Sequence, residues 1–376
     1  MSASPEGEEE KSELLRPASF KDRREPPPPP PASTAPAAGA PNSRTAVLAF
    51  FALVGIQVLI AVSYKAAQDE TGAYPFSSAS IMAVAELVKF WMSAAGYASS
   101  WSAKQPGGGG GGGLDLKAVL AAFSAEMFSS RTLPMQVLAL AALYAVNNNL
   151  MFYVFRVADG ANISIVKSGN TAVSALLLFL LYKRQLSRTQ VSAIVLQSCG
   201  LIITQFGSKA ACTKDLPVLP LPAYAMLCVS LTITAFTSVL NENVLKTSGA
   251  SLHGINTLLY ALGSAVNFLG LLASGVSPGA ICVGFGSFAA LACLLCNALI
   301  GIAVSAVYKY ADAVVKTLAS AVSTILLLIM FSLSTMNVVL CCGCVVVFVS
   351  VHLYISNPPA AAPAPVSSSS ATKPSA

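Results

Sequence analysis

After its first 44 residues, the chain carries very few charged side chains. Those 44 residues hold 13 of the 38 Asp, Glu, Lys and Arg residues, which leaves 25 for the remaining 332 positions. A soluble domain carries about 25% charged residues, whereas this chain has 10% charged and 55% hydrophobic residues overall. So few charges cannot cover a surface in water. We therefore expect an all-α polytopic membrane protein, which excludes soluble enzymes and nucleic-acid-binding proteins.

Ten apolar segments are long enough to cross a bilayer, because a spanning helix needs about 20 mainly apolar residues. The predicted spans are 45–64, 77–99, 135–155, 161–182, 189–207, 223–242, 254–274, 285–307, 311–332 and 336–355. The polar, proline-rich ends 1–44 and 357–376 are typical of disordered tails. We expect residues 100–134 to be a loop, with a flexible glycine run at its centre and an amphipathic surface helix over 114–130. A linker over 208–222 separates the two halves.

Lysine and arginine residues are distributed unequally between the two sides of the membrane. With ten spans, both tails lie on one side, and that side carries 15 Lys and Arg residues against 4 on the other. Basic residues accumulate in cytosolic loops, so we expect both tails and the loop 100–134 in the cytosol, with 208–222 in a lumen. Leu14 and Leu15 follow acidic residues in the manner of a sorting signal, although such short strings also arise by chance.

The two halves of the chain share a short sequence pattern. Arg156-Val157-Ala158-Asp159 precedes the fourth span, and Lys309-Tyr310-Ala311-Asp312 precedes the ninth. Each motif is followed by a span with a lysine in its first half. Because five spans separate the motifs, the two units insert in opposite directions, as in the inverted repeats of secondary transporters. We predict two inverted five-helix repeats over 45–207 and 223–356, although small polar loops between apolar helices could produce the same similarity.

Polar side chains at membrane depth mark the candidate site. An ionised one costs about 2.5–3.5 kcal/mol on insertion scales, so it needs a partner or a water-filled cavity. At helical spacing, these residues form inward-facing stripes. The candidate substrate-binding residues are Lys316, Lys167, Asn256, Tyr260, Asn148, Ser305, Tyr308, Asn297, Glu86 and Lys89. Two alternatives remain: Ser, Thr and Asn can join packed helices, and Glu86 can neutralise Lys89 three residues later.

The two predicted cavity lysines indicate an anionic substrate. Lys167 lies near the lumenal start of its span, and Lys316 lies near the cytosolic start of its span. An inverted repeat therefore places one cation in each half of a shared cavity. Two ammonium groups that face one space repel each other unless an anion lies between them. Lysine binds phosphate as a point charge. The neighbouring Tyr and Asn side chains can stack on, and hydrogen-bond to, a base or sugar.

Several strings together resemble the nucleotide-sugar transporters, in particular the branch for CMP-sialic acid, UDP-galactose and UDP-N-acetylglucosamine with its plant CMP-sialic acid transporter-like members. The strings are Ala85-Glu86-Leu87-Val88-Lys89, Tyr144-Ala145-Val146-Asn147-Asn148-Asn149, Asn241-Glu242-Asn243-Val244-Leu245-Lys246, Asn256 with Tyr260, and Lys309-Tyr310-Ala311-Asp312 with Lys316. The resemblance covers about residues 45–356. It implies the ten-helix drug/metabolite-transporter fold, exchange of a nucleotide sugar for a nucleoside monophosphate, and a Golgi or endoplasmic reticulum membrane.

The resemblance also implies roles for individual residues. Lys316 matches a substrate-site lysine, Asn256 and Tyr260 match nucleotide contacts, and Asn148 and Ser305 match polar positions of the site. The mammalian members carry their fourth-span lysine at the position of Asn170, whereas this chain has Lys167, nearly one turn earlier. Sugar or phosphate placement is therefore expected to differ from that of the mammalian relatives.

Other functions find little support in the sequence. No phosphate-binding loop of the G-x-x-x-x-G-K-[ST] type and no metalloprotease or serine-hydrolase motif occurs in the 376 residues. The cysteines lie mostly inside apolar runs, where they behave as small hydrophobic residues, so we predict no metal site and no cofactor. Two alternatives stay open, a carrier for another small metabolite and a non-transporting membrane scaffold. A homodimer is possible.

Overall fold

The described part of the chain is a bundle of α-helices. The computed structural model describes residues 43–70, 73–105, 115–157, 160–209, 221–331 and 336–357, and no β-strand occurs among them. The helices are α1 (Ser43–Ala67), α2 (Ser78–Ser102), α3 (Leu116–Phe128), α4 (Thr132–Val157), α5 (Gly160–Lys167), α6 (Asn170–Tyr182), α7 (Arg188–Lys209), α8 (Leu221–Thr247), α9 (Leu252–Ala273), α10 (Phe288–Tyr310), α11 (Ala313–Phe331) and α12 (Val338–Ser356). The dileucine, the glycine run and most of the predicted tails and linker lie outside these ranges, whereas Ser43 and Arg44 of the predicted tail 1–44 belong to α1.

Nine helical segments in the described ranges are long and apolar enough to cross a membrane. They correspond to nine of the ten predicted spans and confirm a polytopic all-helical membrane protein. The predicted span 135–155 coincides with α4, which is not among the nine. Its 26 residues give it a length of about 39 Å, which is enough to cross the hydrocarbon core of a bilayer. The amphipathic segment predicted over 114–130 forms α3.

The fourth predicted span is a helix with an interruption. Ser168 and Gly169 separate α5 from α6, and the Gly169 N–H donates to the carbonyl of Val166 at 3.2 Å instead of continuing the α-helical pattern. The hydroxyl of Ser198 on α7 donates to the carbonyl of Ser168 at 3.1 Å. A neighbouring side chain thus compensates the irregular backbone, as membrane interiors require. The interruption lies next to Lys167.

Close packing joins helices from the two halves of the chain. The most extensive contacts pair α7 with α12, α2 with α9 and α10, α1 with α10 and α11, and α8 with α4 and α6. In the α7–α12 contact the backbones approach closely at Gly343. A Cβ atom added there would lie 2.6 Å from Cγ2 of Thr204 and 3.1 Å from the carbonyl oxygen of Gly200. Small residues allow such approaches in membranes, so this contact depends on glycine.

The bundle has two ends with different chemistry. The basic end holds the connections α6–α7, α8–α9 and α10–α11, and Arg184 there contacts Glu242 and Asp312. The opposite end holds the connections α1–α2 and α9–α10, where the rings of Phe76 and Phe285 pack edge to face with centroids 6.2 Å apart. Among the described residues, an ion-pair cluster thus lies at the basic end and an aromatic contact at the opposite end.

Helix α3 is fixed to the basic end through Glu126. Its carboxylate accepts a hydrogen bond from Tyr97 of α2 at 2.8 Å and another from the backbone N–H of Ser251, the N-cap residue of α9. Burial alone would raise the pKa of Glu126, but these hydrogen bonds outweigh it and hold the pKa below its ordinary value. Glu126 is therefore ionised at neutral pH and connects α3 to the helix that carries Asn256 and Tyr260.

Replacing Gly343 with alanine should destabilise the bundle, because the added methyl group overlaps Thr204 in the α7–α12 contact. We expect a loss of about 1–3 kcal/mol in the free energy of unfolding, as for other overpacked sites. The matched control is Gly55→Ala, since no atom lies within 4 Å of a Cβ at that exposed position of α1. Thermal denaturation in detergent measures both. Equal midpoints for the two variants would contradict the close α7–α12 contact.

Candidate functional site

A cavity lies between the helices of the two halves. It has a volume of about 330 Å³ and is lined by α1, α2, α4, α8, α9, α10 and α11. A second cavity of about 390 Å³ adjoins it, shares Met82 and Asn148 with it, and extends to Ala79 and Ser274. These last two residues lie near the opposite end of α2 and α9. Together the cavities have the size of a small-molecule site and lead towards the opposite end of the bundle.

Tyrosine and amide side chains close the cavity towards the basic end. Tyr260 and Tyr308 are buried there with exposures of 5% and 1%. The hydroxyl of Ser305 donates to Oδ1 of Asn256 at 2.8 Å, and Nδ2 of Asn241 donates to the hydroxyl of Tyr144 at 3.3 Å. Tyr144, Tyr260, Ser305 and Tyr308 line the cavity, and Asn256 lies directly behind Ser305.

Two buried amide atoms at the basic end of the cavity have no hydrogen-bond partner among the described residues. They are Nδ2 of Asn256 and Oδ1 of Asn241. The two residues are 0% and 2% exposed. Buried polar atoms are normally paired, and an unpaired one costs about 1–3 kcal/mol. Asn241 lines the cavity. Of the two, Oδ1 of Asn241 is the one that a polar ligand in the cavity could pair with, because Asn256 lies behind Ser305 and outside the lining.

Two lysines bring positive charge to the same region. Lys316, in the first turns of α11, lines the cavity, and Lys167 at the end of α5 is close enough for the two charges to repel. Lys167 does not contribute to the cavity lining. No ion pair to either ammonium group occurs in the described ranges. The geometry therefore favours an anion beside Lys316, in agreement with the charge expected from the sequence.

Glu86 and Lys89 form an ion pair within the cavity wall. Nζ of Lys89 lies 2.7 Å from Oε1 of Glu86 and 5.6 Å from the centroid of the Tyr260 ring. Both side chains are largely buried, and both line the cavity. The pair matches the structural alternative, in which the two charges neutralise each other. It also places Lys89 against a tyrosine that the sequence predicted as a nucleotide contact.

The remaining predicted residues divide between the cavity and a helix contact. Asn148 lines both cavities. Asn297 does not line either one: it donates to the hydroxyl of Tyr64 at 3.1 Å and to the carbonyl of Cys293 at 2.7 Å. This places Asn297 in the α1–α10 contact, where it joins helices. Its role in substrate binding remains a prediction.

The structure adds cavity residues that the sequence analysis did not select. Thr234, Thr237, Ser238 and Asn241 of α8 line the cavity. Their spacing of three, four and seven residues places them on one helical face, so the same search for polar stripes could have found them. Gln57 of α1 also lines it and exchanges hydrogen bonds with Ser320 and Ser323 of α11. A single glutamine in an apolar span gives no periodic signal.

The described cysteines and acidic residues do not form a metal site. All eight cysteines within these ranges are free, and no group of three His, Cys, Asp or Glu residues there could hold a metal ion. Cys293 packs in a small hydrophobic cluster with Phe76 and Ile81. This contact agrees with the interpretation of intramembrane cysteine as a small hydrophobic residue.

Removing one member of the Glu86–Lys89 pair should be more harmful than removing both. A single substitution, Glu86→Gln or Lys89→Met, leaves a buried charge without its partner, which costs about 3–5 kcal/mol. The double variant leaves no unpaired charge, so it should unfold near the wild-type temperature. A double-mutant cycle from thermal denaturation in detergent measures the coupling. Additive effects of the two single substitutions would contradict a structural pair and return both residues to the substrate-binding group.

The fold itself occurs in a solved structure. One crystal structure superposes on this chain with a TM-score of 0.58 at 14% sequence identity, covering 82% of this chain and 96% of the other. At that identity the match concerns the fold alone.

Sequence relatives are found among plant proteins. The chain is 34% identical over 227 residues to CMP-sialic acid transporter 2 of Arabidopsis thaliana, covering 57% of this chain and 55% of the relative. It is 33% identical to CMP-sialic acid transporter 3 of Arabidopsis thaliana, with the same coverage. It is 32% identical to CMP-sialic acid transporter 3 of Oryza sativa subsp. indica, covering 58% and 56% of the two chains. The chain thus spans little more than half the length of these relatives.

A family model covers nearly the whole membrane region. The model for the nucleotide-sugar transporters matches residues 42–355, from the start of α1 to the end of α12. Members of that family are carriers rather than enzymes. The fold, the lysine-containing cavity and this match lead to one conclusion: the chain belongs to the nucleotide-sugar transporter family.

Proposed function

We propose that the protein exchanges a nucleotide sugar, CMP-sialic acid-like or a UDP-sugar, for the corresponding nucleoside monophosphate by alternating access. The nucleotide sugar would enter a Golgi or endoplasmic reticulum lumen from the cytosol. The observation that carries this proposal is the position of Lys316, which lines a cavity of tyrosine, serine and asparagine side chains. The names of the plant relatives support the nucleotide class.

The chemistry of the cavity fits both parts of a nucleotide. The ammonium group of Lys316 provides a fixed positive charge for a phosphate, and Lys167 adds a second charge nearby. Tyr260 offers a ring on which a base can stack, and the unpaired Oδ1 of Asn241 offers a hydrogen-bond acceptor to a polar edge. Asn256 would act through Ser305, whose hydroxyl donates to it. A neutral metabolite would leave Lys316, and Lys167 near it, without a counter-charge.

The proposed transport mechanism rests on ten spans in two inverted repeats. The repeat relates α1 to α8, α2 to α9, α4 to α10, α5–α6 to α11, and α7 to α12. If each helix is replaced by its repeat counterpart, every helix contact should have an equivalent in the bundle. The α1–α10 contact has its equivalent in α8–α4, and the α1–α11 contact has its equivalent in α8–α6. The pairs α2–α9, α6–α11 and α7–α12 map onto themselves. This pattern supports an inverted repeat, with α4 as the third span.

We place the basic end in the cytosol, together with both tails, and the opposite end in the lumen. The excess of Lys and Arg residues on the tail side supports this orientation. A Golgi membrane is the proposed location and the endoplasmic reticulum the alternative. Lys316 would then lie on the cytosolic side of the cavity, and Lys167, which is outside the lining, in the lumenal half of the membrane. The homodimer remains a prediction.

Counterflow in proteoliposomes tests the proposal. Liposomes that are preloaded in turn with CMP, UMP, GMP or AMP should take up a labelled nucleotide sugar with one matching monophosphate. Lys316→Ala should reduce this exchange by one to two orders of magnitude, because a charged hydrogen bond contributes about 1.5–3 kcal/mol. Lys316→Arg should restore little, since a planar guanidinium does not reproduce a point charge.

The control for Lys316→Ala is Lys117→Ala on the exposed face of α3, which should exchange like the wild type. Full exchange by Lys316→Ala at equal protein content would contradict the site. Absence of counterflow with all four monophosphates would favour a carrier of another metabolite, or a scaffold, over a nucleotide-sugar exchanger.

A further inference from the structure

Arg184 connects three separate elements at the basic end. It lies in the α6–α7 connection; its Nη1 lies 3.1 Å from Oε1 of Glu242 near the end of α8, and its Nη2 lies 2.8 Å from Oδ2 of Asp312 between α10 and α11. Lys246 joins the cluster with Nζ 2.7 Å from Oε1 of Glu242. The two carboxylates are 6% and 8% exposed, whereas Arg184 is 28% exposed. We call these four residues the Arg184 cluster.

The backbone at this position is held in an uncommon conformation. Lys183 has a φ angle of 53°, and among the described residues it is the one non-glycine residue with a positive φ. It caps α6, with the N–H of Arg184 bonded to the carbonyl of Leu178 at 3.3 Å. A non-glycine residue in this region persists only where surrounding contacts hold it. Here the N–H groups of Lys183 and Arg184 both bond to carbonyls of α6, and Arg184, the next residue, makes the ion pairs described above.

The charge of Arg184 is secure in this environment. Burial alone would lower its pKa, but Asp312 and Glu242 raise the pKa above its ordinary value. The guanidinium group can therefore bridge both carboxylates at any physiological pH. A lysine at this position could contact one carboxylate but could not bridge two in the same way.

The Arg184 cluster and the cavity share two helices. Glu242 follows Asn241, whose side chain lines the cavity, and Asp312 lies one turn before Lys316 on α11. The carboxylate of Glu242 also accepts the backbone N–H of Ala313 at 2.7 Å. The start of α11 is thus fixed to α8. A movement of either helix that changes the cavity also moves a carboxylate of the cluster.

The packing of the bundle differs between its two ends. In the described ranges α8 packs against α10, whereas their repeat counterparts α1 and α4 make no comparable contact. The cavity continues to Ala79 and Ser274 at the opposite end, while the cluster lies beyond Asn241 and Lys316 at the basic end. The connection that corresponds to 183–187 in the second half includes Ser332 to Thr335, which contain no charged residue. This connection therefore has no charged counterpart of Arg184.

From these contacts we infer that the Arg184 cluster is the gate that closes the cavity at its cytosolic end. The bridges from Arg184 to Glu242 and Asp312 hold α8, α11 and the α6–α7 connection together in the state described here, and they separate when the cavity opens to the cytosol. The assignment of this end to the cytosol rests on the proposed orientation. Weakening the bridges should therefore increase the population that is open to the cytosol.

Sided labelling of a cavity cysteine tests the gate without any substrate. Thr237→Cys places a thiol in the cavity wall. A membrane-impermeant maleimide is added to sealed microsomal vesicles whose cytosolic face is outward, and labelling is measured above the background of the parent chain. Arg184→Gln should increase the rate of Thr237→Cys labelling at least tenfold, and Arg184→Lys should give an intermediate rate. The matched control, Arg188→Gln, removes an exposed arginine from the end of the same connection and should change nothing.

A labelling rate for folded Arg184→Gln equal to that of Arg188→Gln would overturn the gate. If Arg184→Gln does not fold, Asp312→Asn removes one of the two bridges and should accelerate labelling several-fold; an unchanged rate there would also overturn the proposal. Because labelling needs no nucleotide, its result is independent of the counterflow experiment, which tests the substrate class.

Discussion

Two lysine side chains lie at membrane depth, where a bilayer disfavours a charge, and the arrangement of the surrounding helices has to accommodate them. Lys316 and Lys167 lie within predicted spans, close enough to repel, and neither has an ion pair among the described residues. An isolated charge at membrane depth persists only beside water or a counter-ion. The cavity meets this condition, because seven helices leave a space beside Lys316 that opens to one end. In contrast, Lys89 is neutralised by Glu86 within the wall. The unpaired Lys316 is thus available to a ligand, whereas the paired Lys89 belongs to the cavity wall.

Much of this arrangement could be predicted from the sequence because membrane insertion imposes strong rules. Apolar length predicted nine of the candidate spans directly, and helical spacing predicted that Tyr260, Ser305, Tyr308 and Lys316 face the interior. In α4, Asn147 and Asn148 line the cavity, and Asn147 also accepts a hydrogen bond from Ser230 of α8 at 2.8 Å. A hydropathy value averages over all residues of a span. Whether a single asparagine is stable within the membrane depends instead on its contacts with other helices.

Other features depend on contacts between distant segments, which spacing within one helix does not encode. Asn297 resembles the neighbouring cavity residues in its helical period, but Tyr64 of α1 lies opposite it and uses its amide. Arg184 gave a signal for membrane orientation, yet its partners Glu242 and Asp312 are 58 and 128 positions away. The interruption after Lys167 depends on Ser198, thirty positions away. These residues have polar side chains whose roles are determined by the opposing helix.

The cavity and the Arg184 cluster are connected through α8 and the start of α11. Asn241 and Glu242 are adjacent on α8, and Asp312 and Lys316 are one turn apart at the start of α11. Each helix therefore presents one residue to the cavity and one to the closed end. In an alternating-access carrier, the ligand must influence which end is closed. This adjacency provides a short physical connection between ligand charge and closure, with no long pathway through the bundle.

The central claim is that Lys316 recognises the phosphate of a nucleotide in the cavity. The most direct measurement compares equilibrium binding of CMP and of neutral cytidine to purified protein in detergent, for the wild type and for Lys316→Gln. The account predicts that CMP binds the wild type about ten- to one-hundred-fold more tightly than cytidine does, as expected for a charged hydrogen bond, and that the difference nearly disappears in the variant. If cytidine binds as tightly as CMP, or if the preference survives in Lys316→Gln, Lys316 does not read the phosphate and the account is wrong.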